Sequence, residues 1–519
     1  MQRKAGVVLP LFSIRTGRDW GIGQVTDLAP CAEWVRRTGH RLLQILPPHE
    51  LSAGETSPYG ALTAFAIDPI YIDVEAIEDL DGQTIAETLG ASGLADLERV
   101  RAAARVDYRT VRALKLRTLQ AAFDRFYARE WLPMTPRARQ LASFIASERA
   151  WLEDFALYTT LRKVHGGWGW TSWPDDEKER HIQRLADLRA EHARPLLECA
   201  YTQWVVASQW KRARTDLRAV GVELMGDLPF VVGTESADVW SHASQFQLRL
   251  SLGAPPDDYS ADGQDWGLPP FDWLAMENDD LAWLRARIRH AGRLYDRFRL
   301  DHVVGLFRQW VKPRNATRAR GRFDPEDADA QQARGGRVLA AMKAELAREP
   351  GVDPPRIIAE DLGIIPTFVR ATLDALGMPG YRVLPWERDE IGFRDPSGYP
   401  ASSVASWSTH DTAPITSWWN DLPPAHRQEL GDRAGLLPEF REDERSLVLL
   451  HDLYSSSSEL ALVLAQEVLG VPDRINTPGT VGDANWTWRL PRPIEDLNRE
   501  ARLSERFDAI RALVTASGR

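Results

Sequence analysis

A (β/α)8 barrel is the fold this chain predicts, and three observations point to it. Short apolar runs bounded by Gly and Pro recur along the chain, helical patterns separate most of them, and three of the runs end on acids. Strands alternating with helices argue for a parallel sheet, and so many units over 519 residues favour a closed barrel over an open sheet. The C-terminal tips of parallel barrel strands share one mouth, so acids at three tips would converge.

The start, Met-Gln-Arg-Lys and then an apolar run, loosely imitates a signal peptide. Its apolar part is short, contains Pro10 and lacks a small-x-small cleavage site, so it reads as a first strand over 7–12. Residues 42–46 (Leu-Leu-Gln-Ile-Leu) read as the second strand, with an amphipathic helix over roughly 27–38 between the two. Ser57-Pro58-Tyr59-Gly60 is a turn signal that opens an apolar stretch to Ile72. From about 75 to 215, Ala, Leu, Arg and Glu at helical spacing dominate. That block exceeds an ordinary βα loop and is expected as a helical subdomain inserted into a single barrel domain spanning 1–519. Strand-like runs return at 222–228, 298–301, 357–361, 381–384 and 404–410, with a helical pattern at 367–376. A long loop rich in Pro, Asp, Gly and aromatics covers 251–273. A polar insertion near 314–336 has the Arg, Gly, Asp and Gln content of a mobile or disordered segment.

Composition narrows the function. The chain is 44% hydrophobic and 27% charged, with a formal net charge of −10 and no basic run. Nucleic acid and anionic membrane surfaces are therefore poor partners, and a neutral or cationic small substrate fits better. Two cysteines, Cys31 and Cys199, are too few for a disulfide framework or a cysteine-rich metal site. With no apolar run of membrane-spanning length, a cytoplasmic location is expected. The 20 tryptophans hint at sugar stacking, although most belong to a core by default.

The chemistry sits at the strand ends. In Asp296-Arg297-Phe298-Arg299-Leu300-Asp301-His302, a period of two puts Arg299 and Asp301 on one face, where the cation would hold the carboxylate ionised. Glu360 and Asp361 close a second run, and His410 and Asp411 close a third. Paired carboxylates at one site are the equipment of glycoside chemistry, held about 5–5.5 Å apart in a retaining enzyme. Taken singly, each end reads equally well as an ion pair, a solvated strand-to-helix turn or a helix cap. No metal or cofactor is expected. Asp258-x-Ser260-x-Asp262-Gly263 opens like an EF-hand loop but has Pro269 where a bidentate Glu is needed, and neither His302 nor His410 sits in a metal-ligand motif.

Further motifs join these ends in a fixed order. They are Ser57-Pro58-Tyr59 with Thr63-Ala64-Phe65-Ala66, Trp151-Leu152-Glu153-Asp154-Phe155-Ala156, His165-Gly166-Gly167, and Gly226-Asp227-Leu228-Pro229-Phe230 with Ser236-Ala237-Asp238-Val239-Trp240. After them come Gly253-Ala254-Pro255-Pro256-Asp257, Gly263-Gln264-Asp265-Trp266-Gly267, Arg474-Ile475-Asn476-Thr477-Pro478-Gly479 and Asn485-Trp486-Thr487-Trp488-Arg489. In these the chain resembles, over nearly its whole length, the amylomaltase family, the 4-α-glucanotransferases or disproportionating enzymes of the α-amylase clan. The resemblance implies Asp301 as nucleophile, Glu360 as acid/base and Asp411 as transition-state stabiliser with His410 beside it. It implies Arg299 as the cation that keeps the nucleophile charged and Tyr59 as a stacking platform. Tyr259, Gln264 and Trp266 fall in a loop that arches over the site. Ser57, Asp227, His302, Asp361 and Asn476 are further implied substrate contacts. Donors would be α-1,4-glucans and maltooligosaccharides, and acceptors glucose or glucan. A covered site shields the intermediate from water, which favours transfer over hydrolysis. A hydrolase of the same clan and a non-catalytic glucan-binding barrel are the alternatives. This chain departs from the family pattern at Gly60, at Val303-Val304-Gly305, at Leu268-Pro269 and at Thr412.

Overall fold

The computed structural model describes residues 3–256, 263–314, 321–348, 356–437, 440–480, 482 and 484–519. Eight parallel strands close into a barrel in sequential order. They are β1 (Lys4–Val8), β2 (Leu42–Gln44), β3 (Glu223–Leu228), β4 (Arg297–Leu300), β5 (Arg356–Ala359), β6 (Gly380–Val383), β7 (Ser403–Ser406) and β8 (Leu460–Leu464). Closure comes from β1 pairing β2 on one side and β8 on the other, with Val7 opposite both Leu43 and Val463. The strands are largely buried on both faces because side chains fill the inside and helices cover the outside. The first strand lies earlier than the sequence places it, at Lys4–Val8, since Pro10 breaks the ladder and 11–13 form a 3-10 turn. The helix expected over 27–38 is Leu28–Arg37, burying Leu28, Cys31, Ala32, Trp34 and Val35 along one face.

The eighth strand, Leu-Ala-Leu-Val-Leu at 460–464, is fully buried and is absent from the strands the sequence predicts. Its five residues come after a serine-rich turn and run directly into helix Ala465–Leu469, so periodicity alone does not separate it from a buried helix.

Between β2 and β3 the chain is helical, including Gly82–Ala102, Tyr108–Phe126, Pro136–Ser147, Arg149–Val164 and Ala193–Ala219. Asp81, Asp107 and Thr135 cap three of these helices through their side chains. Arg112 fastens one of them to the segment before it by a two-pronged contact with buried Asp68, at 3.0 and 2.7 Å. The stretch read as a long loop over 251–273 instead contributes strands Leu250–Ala254 and Gln264–Asp265 to a four-stranded antiparallel sheet with Gln309–Pro313 and Arg322–Asp324. Gly253 permits this pairing, because a Cβ there would sit 1.9 Å from the Gln264 carbonyl oxygen. The expectation of disorder over 314–336 is corrected for its described part. Residues 322–324 are a strand, and from Ala328 onward the chain is helix Ala328–Leu346, which buries Gln331, Gly335, Val338, Leu339 and Met342. Polar composition hid an amphipathic helix whose buried face is carried partly by small residues.

Among the described residues, no helix is long and apolar enough to cross a membrane, and no group of three or more His, Cys, Asp or Glu could hold a metal ion.

Candidate active site

The tips of β3, β4 and β5 deliver one cluster. Alternation along β4 turns Arg299 and Asp301 to the same side. Arg299 Nη2 lies 2.6 Å from Asp301 Oδ1, and Nη1 donates to both oxygens of Asp227 at 2.9 and 3.0 Å. Asp227 sits opposite Arg299 in the β3–β4 register, just as Leu300 sits opposite Ala359 in the β4–β5 register. Asp301 and Glu360 therefore leave their strands side by side. Arg299 Nη2 is also 3.8 Å from Glu360 Oε2. A single guanidinium nitrogen thus lies beside both carboxyl groups.

Glu360 accepts from the backbone N–H groups of His302 and Leu362, each at 2.8 Å. His302 takes a left-handed φ of 47°, a strained conformation that sends its N–H towards Glu360. Burial raises the Glu360 carboxyl to about 7; Arg299 and the two N–H bonds oppose the rise, and Asp301 adds to it. The His302 ring packs edge-on against Phe230 and Trp266, at 5.5 and 4.9 Å between ring centres, and burial lowers its imidazole to about 4.

The tip of β7 completes the cluster. His410 Nε2 lies 3.3 Å from Asp411 Oδ2 and 3.0 Å from the Tyr59 hydroxyl. Tyr59 donates its one proton to Asp227 Oδ2 at 2.8 Å, so it accepts from His410. Asn476 donates to Asp411 Oδ1 at 2.7 Å, and Arg474 donates to the Asp411 carbonyl at 2.8 Å. Burial pushes Asp411 up, but His410, Asn476 and Arg299 together outweigh it and hold the carboxyl well below its ordinary range. The same pairing raises His410 against its own burial.

The expected residues are not all brought together. Asp301, Glu360, Asp411, Arg299, His410, Asn476 and Tyr59 converge, with His302 alongside. The Tyr59 ring stacks on His410 at 5.5 Å between centres, so that face is committed to protein. Asp227 is fully buried, with both oxygens taken by Arg299 and Tyr59, and therefore lies beneath the mouth. Asp361 points the other way, which corrects its assignment to substrate. Its carboxylate accepts from the Tyr381 N–H at 2.6 Å and from Arg370 and Arg382 at 3.0 and 3.3 Å. Adjacent residues at a strand end face opposite sides, so Glu360 facing the mouth sends Asp361 outward. Gly380 makes room for it, since a Cβ there would meet the carboxylate at 2.6 Å. Ser57 shapes the turn before Tyr59 and lies at the edge of the cluster. Gln264 is exposed and accepts from Trp266 Nε1 at 3.0 Å. Tyr259 lies outside the described residues. Sequence reasoning missed Trp486, whose ring packs on Tyr59 and His410 at 5.8 and 5.9 Å between centres, and Arg474. Both belong to motifs far along the chain, and only the fold carries them to the mouth.

The comparisons agree on one family. A family model described as 4-alpha-glucanotransferase matches residues 9–495. The 4-alpha-glucanotransferase of Chlamydia pneumoniae is 30% identical over 508 residues, covering 95% of this chain and 92% of that protein. The chloroplastic/amyloplastic 4-alpha-glucanotransferase of Solanum tuberosum is 31% identical over 527 residues, covering 96% and 85%. Among solved structures, the amylomaltase from Streptococcus agalactiae in complex with acarbose superposes with a TM-score of 0.83 at 25% identity, covering both chains fully.

Proposed function

The chain belongs to the 4-alpha-glucanotransferase family, and on that premise we propose a retaining double displacement carried by Asp301, Glu360 and Asp411. The observation that carries it is the single Arg299 guanidinium, 2.6 Å from Asp301 and 3.8 Å from Glu360. It places the Asp301 carboxyl beside that of Glu360, which burial raises to about 7 and so suits to proton transfer.

Asp301, held by Arg299, attacks the anomeric carbon of an α-1,4-glucan while Glu360 gives its proton to the departing glycosidic oxygen. The leaving chain exits with that proton, and the donor segment remains as an ester on Asp301. The hydroxyl of glucose or of another glucan then enters. Glu360, now ionised, takes the hydroxyl proton as that oxygen displaces Asp301 and restores the original stereochemistry. Asp411 stays anionic beside His410 and Asn476. It grips donor hydroxyls and favours the positive charge that develops on the ring. Tyr59, Asp227 and Arg299 form the supporting layer, which spares the reacting groups reorganisation at the moment of transfer. The antiparallel sheet carrying Gln264 and Trp266 supports transfer over hydrolysis by limiting water at the ester.

Pure maltotriose tests this reading, with products resolved by chain length over time. Glucose should appear with maltopentaose and longer chains while total reducing ends stay constant. Reducing ends that rise with every cleavage would mean hydrolysis.

A further inference from the structure

The loop that carries His410 and Asp411 is closed from below by an acid outside the mouth. Glu467, buried at the start of helix Ala465–Leu469 after β8, accepts from the Leu464 N–H through Oε2 at 2.9 Å. Its other oxygen, Oε1, lies 3.2 Å from the Ile415 N–H and 2.6 Å from Ser408 Oγ, the two ends of the 408–415 loop. Ser408 Oγ is also 2.9 Å from the Ala413 carbonyl oxygen.

These contacts leave one proton to place. A serine hydroxyl has one hydrogen, and a carbonyl can only accept. If Ser408 donates to Ala413, the 2.6 Å contact with Glu467 needs a hydrogen from Glu467. If Glu467 were ionised, Ser408 would turn its hydrogen to the carboxylate and leave the Ala413 carbonyl facing a lone pair. The nearest cation does not pair with the carboxylate. Arg506, from helix Ala501–Ala516, donates instead to the carbonyls of Glu467 and Val468 and to Ser446 Oγ.

We propose that Glu467 is a positioning residue that works as a neutral acid, donating from Oε1 to Ser408, which donates to Ala413 and fixes the loop presenting Asp411. The inference rests on the role given to Asp411 above. Burial raises the Glu467 carboxyl to about 7 against the Leu464 and Ile415 N–H bonds and Arg506; Ser408 would oppose the rise only as a donor to the ionised carboxylate, and Tyr454 is a further titratable group facing it. The proton is held at pH 6 and lost as pH rises above about 7, where the loop loses its closure.

The test compares Glu467→Gln, Glu467→Ala, Ser408→Ala and Asp411→Asn with the parent enzyme. kcat and KM for maltotriose are measured from about pH 5.5 to 8.5, with melting temperatures alongside. A glutamine amide can donate to Ser408 while its carbonyl keeps the Leu464 N–H; its nitrogen cannot accept from Ile415, so only that 3.2 Å contact is given up. At about pH 6, Glu467→Gln should keep kcat within about 3-fold, and the fall of kcat above about pH 7 should involve one ionisation fewer. Glu467→Ala and Ser408→Ala should lose kcat by about 30-fold with KM little changed, since the loop moves an interaction made in the transition state. Equal losses in folded Glu467→Gln and Glu467→Ala at that pH would overturn the proposal, as would wild-type kcat in both. If Glu467→Ala does not fold, the Ser408→Ala result and the Glu467→Gln profile decide. Asp411→Asn separates the two readings: retained kcat there refutes the role of Asp411, whatever Glu467 does.

Discussion

At the scale of single residues, the cluster sorts its acids by environment. Glu360 sits between two N–H donors with its carboxyl raised to about 7 by desolvation, while Asp411 is drawn down by His410 and Asn476. Replacing Asp301 by Asn should lower kcat by about 10⁴-fold or more without unfolding, as removing a covalent nucleophile does. Denaturing mass spectrometry of the parent enzyme quenched during turnover should find a glucan adduct on the peptide containing Asp301. Glu360→Gln should still bind maltooligosaccharides, measured by calorimetry, while turnover collapses. The first displacement needs Glu360 protonated, so kcat/KM should fall as pH rises through about 7. The stability effect has a definite sign. Glu360 and Glu467 each hold a proton in the folded state that the unfolded chain releases above its ordinary value of 4.5, so their contribution to stability declines between about pH 4.5 and 7. Urea unfolding of Glu467→Gln across that window should show a shallower decline than the parent.

At the scale of elements, the mouth is governed by the residues just beyond each strand tip. The β4 tip is rigid because His302 gives its N–H to Glu360 and its ring to Phe230 and Trp266. Trp266 links the antiparallel sheet to the barrel. Its backbone N–H donates to the Leu252 carbonyl at 2.9 Å, and Lys312 pairs with Asp265 at 3.0 Å in the same sheet. If the sheet limits water as proposed, Trp266→Ala should loosen it from His302 and raise the ratio of hydrolysis to transfer several-fold. The check is reducing-end release set against maltopentaose formed. An unchanged ratio would remove this sheet from the account of water exclusion.

At the scale of the whole molecule, buried polar fasteners join the helical region to the barrel. Lys115, fully buried on helix Tyr108–Phe126, donates to Gln24 Oε1 and to the Ile72 carbonyl, with the Trp20 ring 5.4 Å away. Lys115→Ala would leave both acceptors unpaired, at a cost of about 3 kcal/mol. The urea midpoint should drop accordingly while kcat of the folded enzyme is unchanged, because Lys115 makes no contact with the cluster. The barrel itself closes through its last strand, and neither edge of the sheet is left open.

The sequence by itself determined the strand-helix alternation, the Arg299–Asp301 pair and the three acid-bearing tips. Period-two alternation and turn chemistry are local properties that the residues carry with them. It did not separate Glu360 from Asp361, because neighbouring acids at a strand end look alike until packing assigns one to the mouth and the other to Arg370 and Arg382. Nor did it find β8, whose short apolar run suits a strand or a helix until β1 and β7 pair with it. The antiparallel sheet was hidden within an apparent loop because Leu250–Ala254 and its partner Gln309–Pro313 lie far apart along the chain. Trp486, Arg474 and Glu467 acquire meaning only when tertiary folding carries distant segments to the loop of His410 and Asp411. Contacts, burial and proton positions are properties of groups brought together, and only the tertiary structure decides which groups those are.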